Sequence, residues 1–245
     1  MKVKLLAHSQ LTVDFTDSLG DAYETYMSGK ATDGQAIALS AVRTCYSANK
    51  PSEIVAKEGG KYFGNKATDG GKGTEADRLM RHIIASKHTS TLEHITFTFA
   101  IEGVSRALLT QLTRHRVGFS FSVQSQRYVK FSSYSKSGGF DYVIPEKVKT
   151  KGLTEEYEIA MGKIQGMYDE LIELGIPQED ARSILPNAAT TNLVMTVNLR
   201  SLLDFYAKRR AGNGAQAEIA ELAGHLRKEV VKVEPWVDEF FEGGK

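Results

Sequence analysis

Two arginine-bearing motifs, Arg114-His115-Arg116 and Ser125-Gln126-Arg127-Tyr128, are separated by eight residues inside a stretch, Gly103 to Phe140, that contains no Asp or Glu. The same stretch carries Arg106, Lys130 and Lys136, although the whole chain balances 31 basic against 30 acidic side chains. Gathering like charge costs free energy unless an anion, or carboxylates from elsewhere in the fold, relieve it. Guanidinium groups meet phosphate and carboxylate with paired hydrogen bonds, which explains arginine rather than lysine at positions 114, 116 and 127. These residue types point to a site for a small anionic ligand, with surface ion pairing as the competing explanation. Ser125 leaves two roles open. A serine nucleophile needs an adjacent base that the sequence does not supply; a hydroxyl that positions a phosphate or ring needs none.

Other segments carry groups with chemical potential. His88-Thr-Ser90-Thr-Leu-Glu93-His94 holds imidazoles and a carboxylate, which suit zinc, but the order is not His-Glu-x-x-His and no further ligand is evident. A polar turn, or a ligand-contacting loop in which Ser90 and Glu93 hydrogen-bond and His88 stacks or donates, are the other readings, and no metal is expected. Arg182-Ser-Ile-Leu-Pro186 closes a short predicted helix. Asn198, Arg200 and Asp204 surround a helix start, followed by Lys208-Arg209-Arg210 and Ala215-Gln-Ala-Glu218-Ile219. Taken singly, Asn198 reads as an N-cap and Asp204 with Lys208 as an i,i+4 pair. Cys45 is the only cysteine, so no internal disulfide forms, and a small buried hydrophobe is its expected state. No Walker-type loop and no Gly-x-Gly-x-x-Gly occurs, which excludes a dinucleotide held in the Rossmann manner.

The elements that must position these groups follow from periodicity and capping. Strands are predicted at Val3 to Ala7, at Ile95 to Ile101 and at Phe119 to Phe131, the latter two from alternation, and at Thr191 to Val197, which is β-branched and apolar. On the third of these, Ser125 and Arg127 would share a face. Helices are predicted from Gln35 to Tyr46, from Glu75 to Lys87 behind a Thr74 cap, and from Ser105 into Arg114. Others are expected from Thr154 to Leu174, Pro177 to Leu185, Arg200 to Arg210 and Gln216 to Val233. Residues 49–73, rich in Lys, Gly, Asn and Asp, read as a flexible surface insertion or mobile flap. Helices and strands intersperse without βαβ alternation, so the expected class is α+β, a single domain over residues 1–245 with a mixed or antiparallel sheet packed with helices.

Bulk properties narrow the function. A formal charge of +1 supplies no global field for long nucleic acid. Binding of single-stranded nucleic acid on the aromatic-interleaved 119–134 segment is therefore the weaker rival. No apolar run approaches the roughly 18–20 residues that span a bilayer, and Met-Lys-Val-Lys-Leu-Leu-Ala-His lacks a long apolar leader core. A cytoplasmic protein without membrane or nucleic-acid partners is the expectation.

With Arg114-His115-Arg116, the eight-residue spacer and Ser125-Gln126-Arg127-Tyr128 in place, the chain resembles the flavin-dependent thymidylate synthases. The resemblance continues in order through Ala41 to Tyr46, His88 to His94, Gln111, Arg182 to Pro186, Asn198 to Asp204 and Ala215 to Ile219. It implies an α+β homotetramer that binds FAD in active sites between subunits. It implies further that NADPH is the reductant, that 5,10-methylenetetrahydrofolate is the carbon donor, and that dUMP is methylated to dTMP. Carried over residue by residue, Ser90, Glu93, Arg114, His115, Arg116, Val123, Asn198, Arg200 and Asp204 fall at FAD positions. Gln111, Arg114, Gln124, Ser125, Gln126, Arg127 and Arg182 fall at dUMP positions, and His88 and Tyr128 on the folate side. An arginine that favours ionisation of the uracil ring maps to the Lys208-Arg209-Arg210 run. Counting from Asp204 selects Arg209 and counting back from Gln216 selects Arg210; helical register from Asn198 favours Arg209. Two departures from the family pattern stand out: Val123 occupies a position often Glu or Gln, with Gln124 beside it, and Asp204 occupies one where Asn is common.

Overall fold

The computed structural model describes residues 1–25, 28 and 31–242. Its strands are β1 (Lys2–His8), β2 (Thr96–Ser105), β3 (Phe119–Val123) and β4 (Thr190–Asn198), joined in one antiparallel sheet of order β1-β2-β4-β3. The helices before β2 are α1 (Val13–Asp17), α2 (Ala22–Thr25), α3 (Asp33–Thr44), α4 (Ile54–Phe63) and α5 (Glu75–Ala85). After it come α6 (Arg106–Leu112), α7 (Glu146–Thr150), α8 (Thr154–Glu173), α9 (Gln178–Ala181), α10 (Leu199–Arg209), α11 (Ala217–Val233) and α12 (Asp238–Glu242). This is a single α+β domain.

Strand alternation sets one face of the sheet. Phe97, Phe99, Ile101 and Val104 of β2 and Leu193, Met195 and Val197 of β4 are buried together with Leu202 and Phe205 of α10 and Leu222 and Leu226 of α11. The register places Phe97 opposite Val197 and Phe99 opposite Met195, so large side chains pair across neighbouring strands on the buried face. On the opposite face the Thr98 and Thr196 hydroxyls bond at 2.9 Å, and Val194 remains exposed. An antiparallel sheet commonly buries one face in this way and leaves the other to polar groups.

Caps end the helices where the sequence places them. Thr74 and Asp77 form a reciprocal capping box at α5, and the Ser105 Oγ accepts from Leu108 N at 3.0 Å at α6. Four expectations require correction. The predicted strand from Phe119 to Phe131 stops at Val123. Gln124 still bonds Asn192, but Ser125 to Val129 turns back on itself, with Val129 N donating to Ser125 O at 2.9 Å. Ser125 and Arg127 therefore do not share a strand face. The helix entering the arginine motif ends at Leu112, so Arg114, His115 and Arg116 occupy a turn rather than a last helical turn. Cys45 is exposed at the end of α3, not buried.

The fourth correction concerns residues 49–73. Much of this segment is α4, whose Ile54, Val55, Tyr62 and Phe63 are buried against Leu19, Ala36, Leu39 and Ala76 in a second apolar cluster. The Gly59-Gly60 pair depresses helix propensity, and tertiary burial overrides it. The loop between α4 and α5 is pinned as well: Thr68 N donates to Glu75, and Arg81 holds Asp69 at 2.8 Å. A buried Phe→Ala substitution costs about 3–5 kcal/mol. Phe63→Ala is accordingly expected to lower the unfolding free energy by about that amount in a urea titration; a loss below about 1 kcal/mol, as surface positions show, would return the segment to a loosely attached flap.

Candidate active-site cleft

Chain reversal from β4 into α10 builds the site. Asn198 caps α10, its Oδ1 accepting from Ser201 N at 2.9 Å, while its own N–H donates to Gly118 O at 3.1 Å. Gly118 has φ +72, and a Cβ there would collide with the Ser201 hydroxyl and the Asn198 amide. Only glycine lets the loop after the arginine motif cross so closely over the helix start. Leu199 N donates to Ile95 O at 2.8 Å, which ties the same junction to the end of the short 3-10 helix Thr89–His94.

From that junction α10 presents Arg200, Leu203, Asp204, Ala207 and Lys208 along one face, while Leu202, Phe205 and Tyr206 are buried on the other. Facing the first set is a cleft of about 810 Å³. Arg114, His115, Arg116, Val117 and Phe119 form another wall, Thr89, Leu92 and Glu93 a third, and Arg81, Ile84 and Ala85 of α5 with Phe240 of α12 close the rest. Six of the residues expected at FAD positions meet here: Glu93, Arg114, His115, Arg116, Arg200 and Asp204. Three do not line the cleft. Ser90 is exposed nearby in sequence, Val123 packs on the sheet core, and Asn198 acts as the helix cap.

The charges within the cleft are unequally matched. Arg200 pairs with Glu93 at 2.5 Å and Lys208 with Asp204 at 2.7 Å. Arg81 is clasped by Asp69 and Glu239, which raise its pKa above the ordinary arginine value. Among the described residues, no carboxylate lies within ion-pair distance of Arg114 or Arg116. The His115 Nε2 accepts a hydrogen bond from Arg209 Nε at 3.1 Å. Burial, with the nearby Arg209 and Lys208, holds this imidazole below its usual pKa. Arg210 ends α10 as its cap and sits instead 3.6 Å from Glu242.

The second half of the motif lies elsewhere. Arg127 bonds Glu179 at 2.5 Å, and Gln178 Nε2 donates to Arg127 O at 2.7 Å, so the Ser125–Tyr128 turn docks on α9. Arg182 comes directly after α9 and donates from Nε to Glu179 O at 3.0 Å. Burial and the nearby Arg182 charge lower the pKa of the Arg106 guanidinium. The Ser125 Oγ accepts from Arg127 N at 3.2 Å, and Gln126 is buried. Gln111 Nε2 donates to Gln216 Oε1 at 2.5 Å, and Glu218 accepts from both the amide and the hydroxyl of Ser105. His88 and Tyr128 are exposed, with the Arg127 guanidinium 5.5 Å above the Tyr128 ring. Apart from Arg114, the residues at expected dUMP positions do not line the first cleft. Among the described residues no three His, Cys, Asp or Glu side chains cluster as a metal site, and no helix is long and apolar enough to cross a membrane. Sequence reasoning missed Arg81 and Phe240, which reach the cleft through α5 and α12; an arginine inside an amphipathic helix and a phenylalanine near a terminus carry no distinguishing local signal.

The fold and cleft define an α+β protein with a cation-rich pocket. Residues 27–236 match the family described as thymidylate synthase complementing protein. Flavin-dependent thymidylate synthase of Geobacter sulfurreducens is 41% identical over 165 residues, covering 67% of this chain and 68% of its own. That of Pyrococcus furiosus is 39% identical over 175 residues, covering 70% of each. The chain belongs to the flavin-dependent thymidylate synthase family. Its fold is also that of a solved UMP/dUMP methylase, PolB from Streptomyces cacaoi bound with 5-Br dUMP, at a TM-score of 0.68 and 20% identity over 98% of this chain and 94% of that one.

Among the described residues, Asp204 is one of only two carboxylates lining the cleft, and it occupies Lys208. Asp204→Asn removes that charge and releases the ammonium, so inorganic pyrophosphate is expected to bind severalfold more tightly in low salt, measured by calorimetry. The gain should shrink as ionic strength rises; equal affinity for both proteins at every salt concentration would show that Asp204 does not face the bound anion.

Proposed function

We propose that this protein is a flavin-dependent thymidylate synthase that methylates dUMP to dTMP, with 5,10-methylenetetrahydrofolate as carbon donor, FAD as cofactor and NADPH as reductant. The observation that carries the reading is the meeting of Glu93, Arg114, His115, Arg116, Arg200 and Asp204 in one cleft, with Arg114 and Arg116 free of carboxylate partners among the described residues. Those residues fit FAD. Cations stand where a pyrophosphate would be neutralised, apolar Leu92, Leu203, Ala207 and Phe240 offer ring contacts, and the volume lies within the roughly 300–1,000 Å³ of small-molecule sites. When bound, flavin supplies the hydride chemistry, and the protein supplies binding, orientation and charge.

Each side chain then has a physical task. Arg114 and Arg116 donate paired hydrogen bonds to phosphate oxygens. Arg200 exchanges its Glu93 partner for a cofactor anion, leaving Glu93 to accept from hydroxyl or amide groups. Arg209 stabilises negative charge on the uracil ring and so favours attack from C5. Ser125 positions the nucleotide: its Oγ accepts a backbone N–H, and among the described residues no imidazole or carboxylate bonds it as a base. Gln111, Gln124, Gln126, Arg127 and Arg182 complete nucleotide recognition, and His88 and Tyr128 face the folate. Because most of the nucleotide set does not line the cleft of its own chain, the reading includes a homotetramer in which one subunit's Ser125–Arg127 turn serves a cleft on another. Exposed Val117, Tyr128 and Tyr134 near these motifs support such an assembly. The reading places the reaction in the cytoplasm.

The purified protein is expected to be yellow, its flavin absorbance bleached anaerobically by NADPH, and to convert dUMP to dTMP with the folate donor; colourless protein that neither takes up FAD nor oxidises NADPH would overturn the reading. Arg209→Ala should abolish methyl transfer while flavin is retained, and Arg210→Ala should leave most of the activity. The reverse result would move the uracil-facing role one residue along. Ser125→Ala is expected to keep measurable turnover, and a trapped covalent Ser125–nucleotide adduct would instead make the hydroxyl a nucleophile.

A further inference from the structure

Arg209, next along α10 from the cleft-lining Lys208, has an unusual partner for an arginine in a charged neighbourhood. Its only side-chain hydrogen bond among the described residues runs from Nε to the His115 Nε2, and no carboxylate lies within ion-pair distance. An Nε2 that accepts requires the neutral imidazole with its proton on Nδ1. The ring is held by aromatic contacts: the Phe205 ring meets it edge-on at 4.9 Å and 79°, and Phe119 lies 5.9 Å away. The charged groups that face it are Arg209, Lys208 and Asp204 from α10 and Arg114 from its own turn, while β3 contributes the uncharged Phe119. Burial and the three cations oppose protonation, and only Asp204 favours it.

A carboxylate partner would orient the guanidinium equally well, but it would cancel the charge that an anionic pyrimidine needs. A neutral imidazole orients without neutralising. Bonding through Nε also leaves both Nη groups free for a forked contact with ligand oxygens or a ring nitrogen. We propose that His115 is the positioning residue for Arg209, a neutral acceptor that aims the guanidinium at the nucleotide's pyrimidine while preserving its full charge. This rests on the role given to Arg209 above. It predicts an acid limb: protonated His115 no longer accepts and repels Arg209, so nucleotide binding weakens as pH falls through the depressed pKa of this imidazole.

The test compares His115→Ala and His115→Gln with the wild-type holoenzyme. The glutamine carbonyl can accept from Arg209 but does not titrate. H115A is expected to raise the dUMP KM at least tenfold when every protein is assayed at saturating FAD, its flavin occupancy read from absorbance. H115Q should recover most of that loss and lack the wild-type acid limb in its pH profile. A variant-independent readout is the Arg209 Nε–H resonance in labelled wild-type protein, expected to be protected at neutral pH and to lose protection as His115 protonates. At saturating FAD, equal damage in both variants, an unchanged acid limb in H115Q, or an Arg209 resonance indifferent to His115 titration would each overturn the proposal. If the variants do not fold, the wild-type resonance decides alone. A wild-type protein without flavin or dUMP methylation would refute the functional reading instead, while the resonance would still report on the His115–Arg209 pair.

Discussion

Three segments remote in sequence are locked together at one backbone junction. Asn198 donates to Gly118 O, its side chain caps α10, and the next amide, Leu199 N, reaches Ile95 O. Without this junction the turn bearing Arg114 to Arg116, the 3-10 helix bearing Glu93 and the helix bearing Arg200 to Arg209 would have no common frame. Its demands are local and strict. Gly118 must adopt positive φ and offer no Cβ, and Asn198 must be a short side chain whose oxygen can turn back to the Ser201 amide. The sheet makes this possible, because β4 delivers Asn198 between β2 and β3 and the pairings of Val197 with buried Phe97 and half-buried Phe119 hold it there.

On that frame the electrostatics are arranged by withholding carboxylates from some cations and supplying them to others. Arg81, Arg127, Arg200 and Arg210 each have an acidic partner from a distant segment, whereas among the described residues Arg114, Arg116 and Arg209 do not. The pairs on exposed surface contribute little to stability, so they serve mainly to shape the field. The unpaired cations concentrate attraction where a phosphate-bearing ligand would enter, and apolar walls of Leu92, Leu203 and Phe240 lower the local dielectric that strengthens it. Dividing the acid-free stretch also explains its excess charge. Its first half faces the cleft, its second half docks on α9, and the two serve different surfaces of the chain.

Much of this is legible in local sequence patterns. Alternation of β-branched and aromatic residues marks β2 and a β-branched, apolar run marks β4; Thr74, Ser105 and Asn198 announce their helices as caps; and the spacing of Asn198, Arg200 and Asp204 puts two of the three on one helical face. Where the local pattern misleads, a longer-range effect intervenes. Phe119 to Phe131 alternates like a strand, yet its pairing with β4 ends at Val123 opposite Leu193, and Glu179 with Gln178 offers Arg127 better partners in a turn. Residues 54–63 contain a glycine pair and polar flanks, yet Ile54, Val55, Tyr62 and Phe63 find a second core that only the packed α3 and α5 create. Cys45 comes after an apolar helical pattern but falls at the helix end, on the exposed side.

The amino-acid order by itself determined the element types, the caps, the acid-free concentration of arginine and the family motifs, because each depends on residues within a few positions of one another. Only the tertiary structure decided which cations remain available. Glu93 and Arg200, Glu179 and Arg127, and His115 and Arg209 meet across 107, 52 and 94 residues. Coulomb and hydrogen-bond energies depend on ångströms of separation in space, and separation along the chain does not predict them.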